Sequence, residues 1–514
     1  MSRSGKVLLR KPLAAHGVAV HNEAFMSLRR ILTVVFLAFA LGGCSPSAPP
    51  PVTPPPVTPP PVPGAPPAVS LINMIPPALS AESNQDSEPF LAVNPADDRR
   101  LAGTAFTPNP FGPASGNAPI YISTDGGATW ALRMTVPSAR STGDITVAGG
   151  RPGARLYAGI LRLPGYLVMS SLTTDDFLAT TPMTEVASRD RVDQPFVQVA
   201  TGPNPLDRIY IGSNDFDAPG GRTATIDLSL DGGATFTTVR IETRPTAGQD
   251  GPSIRPAVAR DGTVYAAFFG WRSFFGGTAT SDVVVVRDDA GATGATPFRD
   301  LTDPSDGLPG RHVARSVTIP WSNAPTLGFE RIGSTLTIAV DPDDSDIVYV
   351  AWCDRVGTGD IYTVHLRRSL DRGVTWSGDL RTVTDATGIS LAIADNGAVG
   401  FLYQQFTGGR WVTQLEQSRD GFATARNTVL ADVPGNAPAM RFVPYIGDYN
   451  FLLTAGNQFR GIFSTNNDPN PAHFPNGVTY QRRVDAAGNT LRDLAGNPVA
   501  VSIDPFYFTV EAIP

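Results

Sequence analysis

The sequence predicts an all-β protein, a β-propeller of four-stranded antiparallel blades. Three observations lead to this prediction. The 514 residues include 51 Gly and 48 Pro but only 17% charged residues, which is typical of many short strands joined by tight turns. A Ser-x-Asp-x-Gly-x-Thr-Trp motif follows several apolar strands. A two-strand pattern recurs at intervals of about fifty to sixty residues, as repeat architectures require.

Three good copies of the motif are present, and a worn fourth copy covers residues 418–424. Their Ser, Asp, Gly and aromatic positions are Ser123, Asp125, Gly127 and Trp130; Ser229, Asp231, Gly233 and Phe236; and Ser369, Asp371, Gly373 and Trp376. Ser and Asp side chains bond nearby backbone N–H groups, Gly supplies a positive φ, and the aromatic ring packs between neighbouring sheets. We therefore expect these residues to fold turns and not to catalyse.

Seven units of an apolar strand, a polar turn and a strand rich in Tyr, Val and Ala recur along the chain. They cover residues 89–106, 144–161, 195–216, 256–271, 336–352, 389–406 and 445–463. Each unit with its motif-bearing hairpin makes one four-stranded blade. Seven blades are predicted, or six if one unit is an insertion.

Three segments depart from the regular pattern of the repeat. Residues 166–177 and 282–298 are hairpins without a clean motif. Residues 299–332 are predicted to be a long loop. Residues 506–510 are predicted to be a strand that completes the last blade.

The first 43 residues resemble a bacterial lipoprotein signal peptide, with Met26 as an alternative start. Arg29 and Arg30 precede an apolar run that is too short to span a bilayer. The run ends in Leu-Gly-Gly-Cys44, which is similar to a lipobox and makes Cys44 the expected lipidation site. Residues 44–67 are a Pro-rich linker, and residues 68–514 are the propeller. We expect attachment to a bacterial membrane, at the outer membrane or cell surface, with the periplasm as an alternative.

Charge and residue counts exclude several classes of function. Six of the 40 basic and one of the 47 acidic residues precede Cys44, so the remainder has a net charge of −12, which argues against nucleic acid as a partner. Lys6 and Lys11 are the only lysines, so Schiff-base chemistry and a P-loop are excluded. Cys353 is the only other cysteine, so lipidation of Cys44 leaves no internal disulfide.

The motif is the Asp box. Together with the four-strand unit, it resembles the sialidase superfamily of Asp-box (BNR-repeat) propellers over about residues 80–514. In sialidases three arginines clamp the substrate carboxylate, a Tyr activated by a Glu attacks the sugar, and an Asp is acid and base. The chain departs from that pattern at its first blade. It reads Glu88-Pro-Phe90 where a sialidase has Arg-Ile-Pro.

Propeller geometry predicts where a site would lie. Residues just before first strands and just after second strands gather on the face opposite the Asp boxes. The first group contains Glu88, Asp144, Asp193, Arg255, Arg331, Asp448 and Tyr449, and the second contains Asp215, Arg272, Asp354 and Arg355. The resemblance implies that Arg255, Arg272 and Arg331 clamp a carboxylate, with Asp215 and Asp354 as further substrate contacts. It also implies Tyr449 beside Asp448 as nucleophile or stacking group and Asp144 or Asp193 as acid. Alternatively, these side chains only brace neighbouring blades.

Other chemistries have weaker support. The three histidines that follow Cys44, His312, His365 and His473, have no metal-binding spacing. We expect His365 to be hydrogen-bonded within a blade and Cys353 to be a buried structural thiol. Residues 341–346 are acidic enough to suggest Ca²⁺, but they align with the turn at residues 94–98, so turn chemistry is the preferred interpretation.

Two functions remain. One is an exo-acting glycoside hydrolase on sialic-acid-type or other acidic glycans, without a cofactor. The other is a non-catalytic propeller that binds glycan or protein at the cell surface. In both cases we expect a monomer.

Overall fold

The computed structural model describes residues 68–106, 118–136, 141–151, 155–163, 168–181, 183–201, 206–322 and 324–514. The predicted signal peptide, Cys44 and the Pro-rich linker lie outside the described residues. Helix in the described ranges is confined to the 3₁₀ turns Pro77–Leu79, Pro219–Gly221, Pro325–Leu327 and Pro471–His473. None of the helices within these ranges has the length and apolarity needed to cross a membrane.

Seven antiparallel sheets confirm the predicted seven-bladed propeller. Blades 1 to 3 contain, from the innermost strand outward, Ser87–Val93, Leu101–Phe106, Ala118–Ser123 and Ala131–Val136; Ser141–Gly149, Leu156–Leu163, Val168–Thr174 and Thr184–Asp190; and Val192–Thr201, Asp207–Asp215, Ala224–Ser229 and Thr237–Arg240. Blades 4 to 6 contain Ile254–Val258, Val264–Phe275, Thr278–Asp288 and Arg311–Pro320; Leu336–Val340, Val348–Arg355, Tyr362–Ser369 and Arg381–Thr384; and Ala386–Ile393, Val399–Thr407, Arg410–Ser418 and Arg426–Pro434.

Blade 7 joins the two ends of the propeller. Its first three strands are Phe451–Ala455, Gln458–Asn466 and Ile503–Glu511, and the N-terminal strand Val69–Asn73 is the fourth. Val69–Asn73 pairs antiparallel with the C-terminal strand, Leu71 opposite Phe508. A short strand, Thr479–Tyr480, adds in parallel at its outer edge, and Val484–Asp485 pairs with Thr490–Leu491 in a separate ribbon. The C-terminal strand is therefore third in its blade, and the sequence prediction missed the N-terminal strand that completes it.

The Asp boxes form the predicted turns between third and fourth strands. In the first box the Ser123 hydroxyl donates to Asp125 Oδ1 at 2.8 Å and accepts from the Gly127 N–H at 2.9 Å. The Trp130 ring lies 5.3 Å from the Tyr507 ring of blade 7, so it packs between blades as expected. The worn copy folds in the same way, since the Ser418 hydroxyl accepts from the Phe422 N–H at 2.8 Å.

A tyrosine from one blade bonds the box turn of the next. Tyr157 of blade 2 donates to the Gly232 carbonyl of blade 3 at 3.3 Å, and Tyr210 of blade 3 donates to the Gly291 carbonyl of blade 4 at 3.0 Å. Tyr507 repeats the bond from blade 7 to the Gly126 carbonyl of blade 1 at 3.2 Å. The second strands are rich in Tyr for this reason: the ring fills the space between blades and the hydroxyl satisfies a buried carbonyl.

Residues 299–332 are not one long loop, because they contain Arg311–Pro320, the fourth strand of blade 4. The turn before that strand is a modified box. Asp288 Oδ1 accepts from the Ala290 and Ala292 N–H groups at 2.9 and 2.8 Å, which is the task of the box Ser. Because a carboxylate replaces the serine hydroxyl, the sequence of this turn does not match the Asp-box motif.

Candidate functional site

The innermost strands begin with a recurring irregularity. In blades 1, 2, 3 and 6 the innermost strand has a β-bulge near its beginning, where the regular pairing with the second strand is interrupted. Glu88 and Gln194 occupy this position in blades 1 and 3 with φ of 56° and 47°. Non-glycine residues rarely adopt a positive φ, and such strain concentrates at functional sites. The bulges aim side chains from several blades at the mouth of the central channel.

Side chains at three of these bulges and others from neighbouring segments form what we call the mouth cluster, which has eight members. Its members are Glu88, Asp144, Asp193, Gln194, Arg255, Arg331, Asp448 and Tyr449, which come from blades 1, 2, 3, 4 and 7 and the segment between blades 4 and 5. All seven residues predicted to precede first strands are among them. Sequence reasoning missed Gln194, whose neutral side chain gave no chemical signal.

The floor of the mouth cluster is buried. The Tyr449 hydroxyl donates to Asp144 Oδ1 at 2.8 Å, and these two residues are 4% and 5% exposed. Burial, together with the Asp144 charge, raises the pKa of Tyr449 well above its usual value. Burial beside Asp193 raises the pKa of Asp144 to about 7. A phenol held in this way is a poor nucleophile at neutral pH.

Arg255 lies over this floor without a carboxylate in direct contact. Its guanidinium carbon is 4.4 Å from the centre of the Phe196 ring and 5.5 Å from that of Tyr449. One Nη bonds Gln194 and Ser253, each at 3.3 Å, and the other has no hydrogen-bond partner among the described residues. Burial lowers the pKa of Arg255 to about 10, so the side chain remains a cation at neutral pH.

Arg331 is held by a bidentate ion pair. Its Nε donates to Asp448 Oδ1 at 2.7 Å, and an Nη bonds Oδ2 of the same carboxylate. Gln194 braces the pair by donating to Asp448 Oδ2 at 3.0 Å and to the Ser334 hydroxyl at 2.6 Å. The Arg331 side chain remains 25% exposed. Two parallel bonds of this kind fix the guanidinium plane.

Two carboxylates of the mouth cluster are partly exposed, Glu88 and Asp193. Desolvation and the charges of Asp144 and Asp448 raise the pKa of Glu88 well above 4.5. Desolvation also raises the pKa of Asp193, but Arg331 and the Gln194 N–H oppose the shift. Both pKa values are therefore raised, but two neighbouring carboxylates add to the shift of Glu88, whereas for Asp193 the opposing charge of Arg331 is the largest effect after desolvation. Unequal environments of this kind suit an acid and a base in one site.

Aromatic side chains close the channel beneath the mouth cluster. The Phe90 ring stacks on Phe451 at 3.9 Å and meets Phe196 edge-on at 4.8 Å. Below them the innermost strands line a cavity that opens toward the Asp-box face. A ligand at the mouth would therefore lie above these aromatic rings and the Tyr449–Asp144 pair.

The residues predicted after second strands bond elsewhere. Arg272 pairs with Glu242 at 2.9 Å and Asp282 at 2.8 Å, within and beside blade 4. Asp215 pairs with Arg189 at 2.6 Å. The structure thus brings two of the three predicted clamp arginines, Arg255 and Arg331, to the mouth cluster, and Arg331 already holds a carboxylate of the protein.

Asp354 is likewise committed within blade 5. It accepts from Trp352 Nε1 at 3.1 Å and lies 3.3 Å from His365 Nε2. His365 also contacts Asp379 at 2.9 Å, and Cys353 is buried, as expected for both. Arg355, at the end of the strand Val348–Arg355, is partly exposed.

Two clusters of acidic side chains have the composition of possible metal sites. In residues 341–346 Asp341 accepts the N–H groups of Asp343 and Asp344 at 3.0 and 3.2 Å, which is turn chemistry. Asn94 does the same in blade 1, accepting from the Ala96 N–H at 2.9 Å. Separately, oxygens of Glu82, Asp86 and Asp504 lie within 4.8 Å of one another. Arg482, fully buried, pairs with Asp504 at 2.9 Å and supplies a positive charge there.

Comparisons with known proteins agree with this architecture. The family model described as BNR/Asp-box repeat matches residues 121–132, the first Asp box. No curated protein matches the chain in sequence. Many solved structures match in fold, and three of them are described next.

A Penicillium chrysogenum alpha-L-arabinanase is 13% identical with a TM-score of 0.41 and covers 85% of this chain and 97% of its own. An ulvan lyase, a polysaccharide lyase, is 12% identical with a TM-score of 0.47, covering 74% and 92%. An endosialidase of phage phi92 is 11% identical with a TM-score of 0.41, covering 87% and 69%. The protein is a seven-bladed β-propeller in fold, and its first Asp box matches the BNR/Asp-box repeat model.

Proposed function

We propose that the protein is a glycoside hydrolase whose site is the mouth cluster, with Glu88 as proton donor and Asp193 as base. The observation that carries the proposal is the pair of partly exposed carboxyl groups, Glu88 and Asp193, at the bulges of blades 1 and 3, both of which interact electrostatically with Arg331. Most glycosidases use a pair of Asp or Glu carboxyl groups, one as general acid and the other as base or nucleophile.

The chemistry follows from the two environments. Burial and neighbouring carboxylates raise the pKa of Glu88 and so favour its protonated form, and in the proposed reaction Glu88 gives its proton to the leaving glycosidic oxygen as the C–O bond breaks. Asp193 is kept closer to the ionised form by Arg331 and takes a proton from the attacking water. Tyr449, Asp144 and Arg255 act as positioning residues beneath the sugar.

The charge of the mouth cluster favours a neutral glycan. It contains four carboxyl groups, Glu88, Asp144, Asp193 and Asp448, against two guanidinium groups. Asp448 already pairs with Arg331. A sugar carboxylate would find one guanidinium already neutralised by Asp448 and the other, Arg255, buried. We therefore expect neutral glycosides to be better substrates than sialosides, in contrast to the sialidase resemblance.

The test is turnover of a panel of fluorogenic glycosides by the purified protein, with a sialoside included. We expect at least one neutral glycoside to be cleaved, and Glu88→Gln and Asp193→Asn to reduce its kcat/KM by at least about a hundredfold. Glu511→Gln is the matched control and should retain activity. Glu511 is an exposed carboxyl at the end of the strand Ile503–Glu511 that lies away from the mouth cluster. Absence of turnover, or equal activity of all variants, would overturn the proposal.

A non-catalytic glycan-binding propeller is the second candidate, and the bidentate Arg331–Asp448 pair favours it, since a fully satisfied network rigidifies a surface without reacting. The same panel distinguishes the two, because binding without turnover supports only the second. A protein at the cell surface is an alternative ligand for such a non-catalytic propeller.

We further propose that the propeller is a monomer tethered to a bacterial membrane by lipid on Cys44, with residues 44–67 as a spacer. The lipobox-like sequence before Cys44 supports the tether. Cys44→Ser should move the protein from the membrane to the soluble fraction. Unchanged fractionation would contradict the anchor.

A further inference from the structure

A hairpin of blade 4 rises beside the mouth cluster. Ile254, at the start of the innermost strand, pairs with Phe268 of the second strand, yet that second strand continues to Phe275 before the Gly276-Gly277 turn. The extension is seven residues long, which at about 3.3 Å per residue is more than 20 Å. Since first strands begin at the mouth, the hairpin projects from the face that carries the mouth cluster.

The tip of this hairpin exposes two large aromatic side chains. Phe275 is 91% exposed and Phe274 is 45% exposed. Phe275 has the highest exposure among the large hydrophobic residues of the described chain. Exposed aromatic surface of this kind marks binding sites, because burying it in the folded protein would otherwise be favourable.

A bulge orients the aromatic side chains of the hairpin. The pairing skips a residue between Trp271 and Ser273, so the normal alternation of faces is interrupted and Trp271 and Phe274 lie on the same side. Their rings stack at 5.0 Å with an interplanar angle of 5°. Arg272, the extra residue, is thereby free to turn toward Glu242 and Asp282.

The stack continues to the mouth cluster. The Trp271 ring lies 5.8 Å from Trp321, and the guanidinium carbon of Arg331 lies 5.1 Å from the centre of the Trp321 ring. The backbone N–H of Trp321 donates to the Gly277 carbonyl at 2.8 Å, which holds this residue beside the turn of the hairpin. A Cβ on Gly333 would lie 2.6 Å from the Trp321 ring, so glycine is needed there for this packing. We call Phe275, Phe274, Trp271 and Trp321 the aromatic row. Trp271 is 5% exposed and supports the row from below, so the rings open to solvent are those of Phe275, Phe274 and, in part, Trp321.

We propose that the aromatic row is a secondary subsite for a linear oligosaccharide whose reacting end occupies the mouth cluster. The inference rests on the proposed function and adds a length preference to it. The apolar faces of sugar rings stack on aromatic side chains, while their hydroxyls bond the polar groups nearby. The row is continuous with Arg331 and is too long for a monosaccharide held at Glu88 to reach its tip, so the substrate class is a chain of several neutral sugars.

The test compares ligand length in wild type and a Phe274→Ser/Phe275→Ser variant. The probes are linear cello-, xylo-, manno- and arabino-oligosaccharides of two and six units, with binding measured by calorimetry and cleavage by product analysis. We expect at least one hexasaccharide to bind wild type, with about tenfold weaker binding by the variant. The disaccharides should show equal affinity for both proteins. Phe275→Tyr should retain hexasaccharide binding, and Leu370→Ser, an exposed apolar residue of an Asp box, should have no effect.

The possible outcomes distinguish the subsite from hydrolysis. Hexasaccharide binding lost in the variant without any cleavage supports the subsite and overturns hydrolysis. Cleavage by wild type with no length-dependent effect of the variant supports hydrolysis and overturns the subsite. Absence of binding and cleavage in wild type overturns both. Self-association that disappears in the variant, without an effect on sugar binding, would assign Phe274 and Phe275 to a protein contact and overturn the subsite.

Discussion

At the scale of single residues, strain and buried charge coincide at the mouth of the channel. Glu88 combines a φ of 56° with a carboxyl group next to Asp144 and Asp448. The positive φ costs free energy in a non-glycine residue, and placing the carboxyl group beside two others disfavours its ionised form, although one of its oxygens accepts the Asp448 N–H at 3.4 Å. A residue that costs stability at an exposed mouth is better explained by function than by bracing of the blades.

Replacing Glu88 separates these two explanations. Glu88→Gly relieves the positive φ and removes the crowded carboxyl, so we expect the free energy of unfolding to rise by about 1 kcal/mol. The same variant should lose hydrolytic activity. Urea denaturation measures the first effect, and Glu511→Gly, on a regular strand, should be destabilised instead. Loss of stability in Glu88→Gly would show that the side chain braces the blades.

Residue types could predict part of the site. Charged side chains before first strands, such as Arg255 and Asp144, were found because their place in the repeat brings them to one end of the channel. Arg272 was misplaced by the same rule, since the bulge after Trp271 turns it toward Glu242. Bulges leave no reliable mark in a single sequence, so the direction of a side chain beyond one could not be predicted.

At the scale of strands and turns, neighbouring blades are joined by tyrosine hydroxyls on box turns. Tyr210 is fully buried and donates to the Gly291 carbonyl at 3.0 Å. Tyr265 makes a related bond at 2.7 Å to the Ser345 carbonyl, which lies in the turn between the first and second strands of blade 5. Losing the hydroxyl leaves a carbonyl without this donor while the ring packing remains.

The hydroxyls should therefore contribute measurably and independently. We expect Tyr210→Phe and Tyr265→Phe each to lower the free energy of unfolding by about 1 kcal/mol. The double variant should lose about the sum of the two values, because the bonds lie on different blade junctions. Equilibrium unfolding of the three variants checks this. Wild-type stability in both single variants would contradict the assignment.

An ion-pair network in blade 5 gives the fold a pH dependence. Burial acts to lower the pKa of His365, but the pairs with Asp354 and Asp379 outweigh it, and the pKa is raised above 6.5. A raised pKa in the folded state means that the contribution to stability is complete below the unfolded pKa and is lost as pH rises through the folded value.

His365→Gln tests this sign directly. The loss of stability caused by the substitution should be largest near pH 5.5 and should shrink as pH rises into the region above 8. Denaturant titrations of wild type and variant at several pH values measure the difference. A difference that is constant with pH, or that grows toward alkaline pH, would contradict the network as described.

At the scale of the whole molecule, the ring is closed by strands from both ends of the propeller. Val69–Asn73 completes blade 7 beside Ile503–Glu511, so each terminus depends on the other for its hydrogen bonds. Leu71 is 3% exposed, whereas Ser70 on the other face of the same strand is exposed. A closed ring of blades leaves only short strand edges at its outer rim.

Substitution in the closing strand should therefore affect the entire propeller. Leu71→Ala should lower the free energy of unfolding by about 3 kcal/mol, since it leaves a cavity in the junction core. Ser70→Ala, the neighbouring control, should change it by less than about 0.5 kcal/mol. Thermal unfolding followed by circular dichroism distinguishes them. Equal behaviour of the two variants would mean that the strand does not close the ring.

The number of blades could be predicted because each blade repeats the same strand pair and most repeat the same turn. The closing strand could not, since five residues carry no repeat signature and their partner is more than four hundred residues away. The hairpin that carries Phe274 and Phe275 is likewise an addition to the repeat. Such additions carry much of the difference between propellers, because the shared blades only hold them in place.

The central claim is that Glu88 donates a proton to a leaving group at the channel mouth. The most direct measurement is the rate of Glu88→Gln on two glycosides of one sugar that wild type cleaves, with a methyl and a dinitrophenyl leaving group. The account predicts a loss of about a hundredfold to ten-thousandfold on the methyl glycoside and nearly wild-type cleavage of the dinitrophenyl glycoside, which needs no acid. Equal loss on both substrates, or no loss on either, would contradict it.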